Sequence, residues 1–379
     1  MGNPADKVRN APSKKAARRR TQIDQEWYSL RSMLGSSWAL FLFLIGGRER
    51  GKSYAVTDFF CQQFLKYGRP FYWLRLTEAS AKKLLSNNAE KLIDPDIRRK
   101  LGFEIETNGD AVYAIYKEKV KTGRYKKDGS EITRNVIQKR LIARVLALST
   151  FYNDKGSGLF DKDFLNDPNM YYNICLDEMN REKNEKKSFD IVYAFSNQLE
   201  NLVRSTKTRL RVICIGNTLE EASDILCALD FVPEEFGRYK LKKKRAVIDY
   251  IENGEKYNER RAGTVADILS GNSSTFTNKV DTDISLITKK RLIRPDMIVA
   301  FEKDKSKWFT IWDGNVVARY NGEKGKVVVP MRPYLDMLFS VEMRDQIISL
   351  FDTRSLRFHN LITQKMLKKE LELLKPRKG

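Results

Sequence analysis

Residues 46–53 have the types and spacing of a phosphate-binding loop. They read GGRERGKS and match the pattern G-x-x-x-x-G-K-[ST] in full. Glycine lets the backbone curl so that successive N–H groups converge on a phosphate. Lys52 can reach the outer phosphate oxygens, Ser53 can bind Mg²⁺, and the following helix offers its N-terminus to the anion. The loop predicts binding of ATP with Mg²⁺ by Gly46, Gly47, Arg48, Glu49, Arg50, Gly51, Lys52, Ser53 and Tyr54.

A pair of acids further along the chain supplies the other half of a hydrolytic site. Asp177 and Glu178 directly follow the apolar segment 171–176, which is interrupted only by Asn173. At the tip of a strand, Asp177 can hold the Mg²⁺ water shell, and Glu178 can polarise the attacking water as a general base. Adjacent acids also end strands on ordinary surfaces. Together with the loop, however, this pair predicts ATP hydrolysis.

Two further polar groups are candidates for sensing and stabilising the transferred phosphate. The apolar run 212–215 ends at a glycine followed by Asn217 and Thr218, which suit a sensor of the γ-phosphate, although a strand-capping turn is the alternative. Arg204 ends the preceding helix and can reach a neighbouring subunit's nucleotide as an arginine finger. A cation at a helix C-terminus also has a purely structural use. Arg209 and Arg211 are alternative fingers.

The elements that must position these residues alternate between strand and helix. Apolar runs of strand length occupy 38–45, 70–76, 141–148, 171–176 and 210–215, with helical patterns between most of them and a hairpin over 103–118. This alternation predicts an α/β fold with a mostly parallel sheet. The additional strands between the loop and the acid pair, with a catalytic glutamate, favour the motor-type branch of P-loop ATPases.

Composition shifts divide the chain into four segments. Residues 1–20 are a basic tail, 21–237 a P-loop ATPase domain, 238–262 a charged linker or connecting subdomain, and 263–379 an α+β domain with a basic helical end. Residues 119–138, basic and polar, are predicted to form a surface excursion.

Charge and composition narrow the class of protein. The 379 residues include 70 Lys and Arg against 49 Asp and Glu, a net charge of +21 that points to a polyanion as partner. A single histidine, His359, argues against histidine-based triads and metal sites. Four cysteines without a CxxC pair indicate reduced thiols. The longest apolar stretch is too short to span a bilayer, so we expect no membrane association.

The quoted residues resemble the genome-packaging ATPases of small short-tailed phages, the phi29-like encapsidation motors. The carrying motifs are FLIGGRERGKSYAV (43–56), QFLKYGRPFYWLRL (63–76), ICLDEMNREK (174–183), NLVRSTKTRLRVICIGNT (201–218) and KWFTIWDGNVVARY (307–320). The resemblance implies a ring of five subunits on the portal of a prohead in the host cytoplasm, driving double-stranded DNA inward, with a packaging RNA as a candidate partner. It also implies Arg204 as the trans-acting finger and a C-terminal domain like a nuclease without its metal-binding acids.

Other functions remain open at this point. A terminase-type motor that cuts DNA would need clustered carboxylates in the C-terminal domain, where Asp281, Asp283, Asp296 and Asp304 are available without a clear strand-tip pair. A nucleotide-regulated DNA-binding scaffold protein is a third hypothesis, although Glu178 argues against it because a switch needs no general base. A cellular DNA pump or helicase is the fourth.

Overall fold

The computed structural model describes most of the chain between residues 27 and 374. The described residues are 27–125, 129, 131–150, 171–180, 189–203, 209–217, 223–270, 286–288, 297–300, 307–312, 317–323 and 341–374. They form two compact units, one of residues 1–219 and 235–279 and the other of residues 220–234 and 280–379. Within the described part of the chain, no helix is both long enough and apolar enough to cross a membrane.

A nine-stranded, mostly parallel sheet forms the first unit, as the sequence predicts. Its strands are β1 Phe41–Ile45, β2 Phe71–Arg75, β3 Glu104–Asn108, β4 Ala111–Tyr125, β5 Glu131–Ala147, β6 Tyr171–Asp177, β7 Arg209–Gly216, β8 Gly237–Leu241 and β9 Ala246–Tyr250. The order across the sheet is β3-β4-β5-β2-β6-β7-β1-β9-β8. One strand, β7, therefore separates the strand before the phosphate loop from the strand before the acid pair.

The described helices follow the predicted alternation with strands. They are α1 Arg31–Leu34, α2 Lys52–Tyr67, α3 Glu78–Ala89, α4 Pro95–Leu101, α5 Ile191–Val203, α6 Asp224–Ala228, α7 Glu255–Arg261, α8 Val265–Ser270, α9 Val341–Asp352 and α10 Leu361–Leu374. Local signals set several of their ends. The Thr77 side chain caps α3 by accepting from the Ser80 N–H, and Pro95 stands in the first turn of α4, where its missing N–H costs nothing.

The central strands of the sheet have continuous apolar sequences because of where they lie. β1 pairs in parallel with β7 and β9, and β6 pairs in parallel with β2 and β7, so these strands are buried on both faces. Phe43, Leu44 and Ile45 are fully buried. Burial on both faces accounts for continuous apolar runs instead of alternation. Because parallel strands end at one edge, the loop after β1 and the acid pair at the end of β6 share that edge.

The segment predicted as a charged linker differs in the structure. Residues within 238–262 form β8, β9 and α7, and β9 lies directly beside β1 with all five of its residues buried. Charged residues flank the short, mostly apolar stretch 246–250, so the composition of the segment does not predict a strand there. Burial of this stretch beside β1 stabilises it as a strand.

The predicted surface excursion at 119–138 is a continuation of secondary structure. The predicted hairpin turning at 108–109 is present, since β3 pairs antiparallel with β4. β4 then continues to residue 125 and pairs antiparallel with β5, which begins at residue 131, so the excursion belongs to a long β-ribbon.

The second unit carries its own small sheet and core. Its strands are β10 Met297–Ala300, β11 Lys307–Trp312, β12 Val317–Glu323 and β13 Arg357–Phe358, in that order across the sheet. Phe309, Ile311, Phe358 and Leu367 share one core, in which strand residues pack with residues of α9 and α10. α9 ends at Asp352 and α10 begins at Leu361. The four acids weighed for a nuclease site lie outside the described residues.

The cysteines are free thiols, as expected. Cys61, Cys175 and Cys214 are buried and Cys227 is partly exposed. Burial raises the pKa of the Cys227 thiol to about 11 and raises the pKa values of the other three thiols further.

Candidate nucleotide site

The phosphate loop joins β1 to α2 as a tight backbone turn. Glu49 and Gly51 have positive φ angles of 59° and 74°, and Gly51 is the residue that caps α2. At the start of the loop the Gly46 N–H donates to the Gly216 carbonyl at the end of β7, at 3.3 Å. The loop is thereby fixed to the sheet edge, and the N-terminus of α2, a 16-residue helix, opens beside it.

The first two glycines are required by close packing as well as by backbone curvature. A Cβ at position 46 would lie 2.9 Å from the Cβ of Ile251, and one at position 47 would lie 2.8 Å from the Tyr257 hydroxyl oxygen. A Cβ atom does not approach its neighbours that closely, so any side chain would displace the loop from Ile251, the residue after β9, or from Tyr257 of α7.

Lys52 is a buried ammonium that bonds to its own loop. It is 5% exposed, and Nζ donates to the carbonyl oxygens of Gly46 at 2.8 Å and Gly47 at 2.6 Å. Burial lowers the pKa of Lys52 to about 7. Asp177 opposes that shift, whereas the cations Arg50 and Arg48 add to it. The ammonium thus lies at the loop, near the Asp177 carboxylate at the end of β6.

The other side chains of the loop divide between buried and exposed positions. Arg48, Glu49, Ser53 and Tyr54 are exposed. Arg50, predicted to bind nucleotide, is 2% exposed and donates from Nη2 to the Glu252 carbonyl oxygen at 3.2 Å. Its guanidinium also lies 5.1 Å from the centre of the Tyr257 ring. The contacts of Arg50 are therefore with the segment after β9, which packs against the loop.

The acid pair is held by an arginine from the neighbouring strand. Asp177 is 7% exposed, and Arg75 at the end of β2 places Nη1 3.3 Å from Asp177 Oδ2 and 2.7 Å from Glu178 Oε2. Burial raises the pKa of Asp177, an effect that Arg75 opposes and the charge of Glu178 reinforces. Glu178 is half-exposed and has a φ of 56°, a strained backbone angle for a non-glycine residue.

The predicted sensor and finger positions are only partly described. Asn217 directly follows β7 at the sheet edge and is partly buried, while Thr218 lies outside the described residues. Arg204 also lies outside them. Arg211, one alternative finger, lies 4.2 Å from the Tyr171 ring centre and donates to Asn173 Oδ1 at 3.2 Å. These contacts occupy Arg211 within its own chain and explain the polar residue inside β6.

Sequence reasoning missed a group of residues on α7 that clamps the loop. Tyr257 donates its hydroxyl hydrogen to the Arg48 carbonyl oxygen at 2.6 Å and accepts from Arg261 at 2.6 Å. Arg260 donates to the Glu49 carbonyl oxygen at 2.6 Å and stacks 4.0 Å from the Trp27 ring centre. Neither the spacing nor the charge of this segment connects it with the loop, because about 200 residues separate the two in sequence.

Arg75 and Asn180 were missed for a different reason. Arg75 is the one charged residue of the run PFYWLRL, next to its end, so its position near a strand tip was an available signal. Asn180 lies two residues beyond Glu178, and a Cβ at Gly216 would lie 3.2 Å from its Nδ2. Within the described structure, both polar atoms of its amide are buried without a hydrogen-bond partner.

The donor set at this edge suits a magnesium ion. The Ser53 hydroxyl and the Asp177 carboxylate are oxygen ligands of the hard type that Mg²⁺ prefers, and one or two protein oxygens are usual when phosphates complete the shell. Bound there with a nucleotide, the ion would neutralise charge on the phosphate oxygens. Elsewhere in the described ranges, no group of three His, Cys, Asp or Glu side chains is arranged to hold a metal.

Comparison with solved structures identifies the fold. The chain is similar to one in the bacteriophage Phi-29 viral genome packaging motor assembly, with a TM-score of 0.59 and 18% identity over 93% of this chain and 100% of that one. Its fold is that of a packaging-motor chain. The Phi-28 gp11 DNA packaging motor aligns with a TM-score of 0.55 and 15% identity, covering 93% of this chain and 99% of that chain. The predicted resemblance to phage packaging motors is therefore confirmed in the structure.

The similarity is visible in structure and weak in sequence. No family model matches the chain, and no curated protein matches it significantly. At identities of 15–18% the alignments establish a shared fold, so the assignment of individual site residues depends on the geometry described above.

Proposed function

We propose that the protein is an ATP-hydrolysing motor that translocates double-stranded viral DNA into a prohead. The observation that carries the proposal is the shared sheet edge. A glycine-lysine loop and an Asp-Glu pair lie there on strands separated by one other strand, with Lys52 and Asp177 close enough to shift the lysine pKa. This strand order supports the catalytic-glutamate type of P-loop ATPase.

Each residue has a defined task in the proposed reaction. Backbone N–H groups of the loop and the Lys52 ammonium bind the β- and γ-phosphates. Ser53 and Asp177 hold Mg²⁺. Glu178 accepts a proton from the attacking water, and Asn217 with Thr218 contacts the γ-phosphate. Before it can act, the Glu178 carboxylate must leave Arg75, because that ion pair occupies the base.

The assembly is a further part of the proposal. Arg204 is proposed to act on a neighbour's nucleotide within a ring of five subunits on the portal, in the host cytoplasm, with a packaging RNA as a candidate component. The C-terminal domain is proposed to have a nuclease-like fold without cleavage activity. Whole-chain alignment with packaging-motor chains supports this arrangement as far as the fold is concerned.

The test combines three measurements on one purified sample. ATP hydrolysis should be stimulated by double-stranded DNA, and the DNA should remain uncut. Glu178→Gln should bind ATP yet hydrolyse it at least ~10²-fold more slowly, the usual scale for losing a general base. Absence of hydrolysis in the wild type would favour a scaffold protein, and cleavage of the DNA would favour a terminase with an active nuclease.

A further inference from the structure

The long β-ribbon extends beyond the body of the sheet. β3 pairs only with residues 111–115 of β4, and β2 pairs only with residues 143–147 of β5. Residues 116–125 and 131–138 are paired with each other and with no other described strand. At about 3.4 Å per residue, ten residues project roughly 34 Å. We call these two segments the ribbon.

The ribbon is strongly basic. Residues 116–140 contain nine Lys and Arg against three Asp and Glu. Like charges on a two-stranded ribbon repel each other, so this excess of positive charge does not stabilise the fold of the ribbon. Charge alone also suits an ordinary solvated surface, so the arrangement of the charges on the two faces decides the interpretation.

The two faces of the ribbon differ in charge and exposure. Directly paired residues share a face, which places Lys117 with Ile137 and Lys119 with Asn135. All four are exposed, and Ile137 is 70% exposed. Alternate positions form the opposite face, where Arg134 is exposed and Tyr116, Glu118, Val120, Val136 and Gln138 are only partly exposed. The exposed face, defined by the Lys117 and Lys119 pairs, is called the lysine face.

The described acids that form ion pairs at the ribbon pair with basic residues other than Lys117 and Lys119. Glu118 lies on the other face and pairs with Arg140 at 3.5 Å. Glu106 in β3 pairs at 2.6 Å with Lys139, the next lysine along the lysine face towards the sheet. In the part of the chain that the structure describes, neither Lys117 nor Lys119 has an ion-pair partner. These two cations are therefore available to an external anion.

We propose that the lysine face binds the phosphate backbone of double-stranded DNA, without reading its sequence. This inference rests on the proposed function and names a surface that contacts its substrate. Alternate residues of a strand are about 6.8 Å apart, which equals two base-pair steps of about 3.4 Å along a duplex. Two successive lysines of one strand can thus follow a phosphate chain.

The shape of the ribbon favours B-form DNA over other nucleic acids. A two-stranded ribbon fits the major groove of B-DNA, about 12 Å wide, whereas the major groove of A-form RNA is too narrow and deep to admit one. Single strands are bound mainly by stacking on aromatic rings. The two pairs that define the lysine face contain no aromatic residue. Duplex DNA is therefore the occupant that charge and geometry select.

The test compares two double variants that remove the same charge. Lys117→Gln with Lys119→Gln changes the lysine face. The matched control is Lys82→Gln with Lys83→Gln on α3, where both lysines are exposed and Lys82 pairs with Glu78 at 2.7 Å. Fluorescence anisotropy with a DNA duplex and an RNA duplex of equal length, from about 50 to about 200 mM salt, gives affinity and salt dependence. Thermal unfolding of both variants checks that they fold.

The lysine-face variant should lose at least about tenfold in affinity for duplex DNA at low salt. Its slope of log affinity against log salt should fall by about 1.8, since each phosphate contact contributes about 0.9. The control should match the wild type. If the two variants bind DNA equally well while the wild type hydrolyses ATP and binds DNA, the ribbon proposal is overturned and the motor proposal stands. Loss of RNA binding alone also overturns it. A wild type that neither hydrolyses ATP nor binds DNA overturns both.

Discussion

Lys52 combines burial with a proposed task, phosphate binding, that needs its charge. Its ammonium bonds to the carbonyl oxygens of Gly46 and Gly47, and burial lowers its pKa to about 7. Near neutral pH the group is therefore partly neutral before a nucleotide arrives. A phosphate anion favours the charged form, so binding must shift the lysine towards protonation.

This balance predicts proton uptake on ATP binding. At about pH 8 the phosphates are already ionised, since their last pKa lies near 6, and Lys52 is mostly neutral. Binding should therefore take up close to one proton, and affinity should fall as pH rises above about 7, by up to tenfold per unit. Calorimetry of Glu178→Gln, which binds without turnover, in two buffers of different ionisation enthalpy measures the uptake. Equal heats in both buffers would contradict the assignment.

Arg75 balances the two carboxylates at the end of β6. Burial already raises the pKa of Asp177, and Arg75 opposes that shift. Removing the cation should raise the Asp177 pKa further, so the carboxylate that must be ionised to hold Mg²⁺ loses its charge at a higher pH. In Arg75→Met, the acid limb of the pH profile of kcat/KM should move to higher pH.

The matched control for this prediction is Arg144→Met. Arg144 lies in β5, next to β2, and pairs with Asp110 at 2.8 Å, away from the acid pair. Its pH profile should keep the wild-type acid limb. An unshifted limb in Arg75→Met would mean that ionisation of Asp177 does not limit the reaction at low pH.

Among the elements, β9 and α7 act together as a support for the phosphate loop. β9 extends the sheet beside β1, and α7 bonds to the backbone of the loop at two carbonyl oxygens. Tight packing of Ile251 and Tyr257 against Gly46 and Gly47 excludes side chains from the loop. The loop's shape is therefore set from outside as well as by its own glycines.

Tyr257→Phe tests this support. The change removes one hydroxyl that donates to the Arg48 carbonyl and accepts from Arg261, both at 2.6 Å. Leaving these buried and partly buried groups without that partner should cost about 1–3 kcal/mol in the free energy of unfolding, measured with urea, and should weaken ATP binding. Tyr125→Phe, at a tyrosine that is 67% exposed, is the control and should change neither. Unchanged stability and affinity would show that α7 only covers the loop.

For the whole molecule, the proposed ring places a subunit's nucleotide under the control of its neighbour. Arg204, the next residue in sequence after α5, is the proposed finger, whereas Arg211 contacts Tyr171 and Asn173 of its own chain. A finger that acts across an interface separates two functions between two subunits. An intact pocket and an intact finger need not then belong to the same chain.

Mixing two inactive variants tests that separation. Arg204→Ala should retain ATP affinity and lose turnover by ~10³–10⁵, the range measured for arginine fingers. Glu178→Gln has an intact finger and no base. Because Arg204→Ala keeps its own pocket, a mixture should regain DNA-stimulated hydrolysis at mixed interfaces. If the mixture stays inactive although both variants assemble, Arg204 acts within its own subunit and Arg209 becomes the next candidate.

The sequence by itself determined the elements whose signals are local. The glycine and lysine spacing over 46–53, the apolar run before it and the acids after β6 are contiguous patterns, so they predict strand, loop and helix without knowledge of distant contacts. The mostly parallel sheet followed from the alternation of apolar runs with helical segments. The α+β composition of the C-terminal segment was predicted in the same way, but the short strand β13 was not.

Only the tertiary structure decided which distant residues meet. Arg75 reaches Glu178 because β2 and β6 are neighbours in the sheet, and Tyr257 reaches Arg48 because β9 joins the sheet beside β1. Neither partnership leaves a periodic or motif signal, since each depends on strand order across a long stretch of chain. β9 was not predicted within the charged segment 238–262 for the same reason. A five-residue strand is stabilised by burial between neighbouring strands, and its own composition does not encode those neighbours.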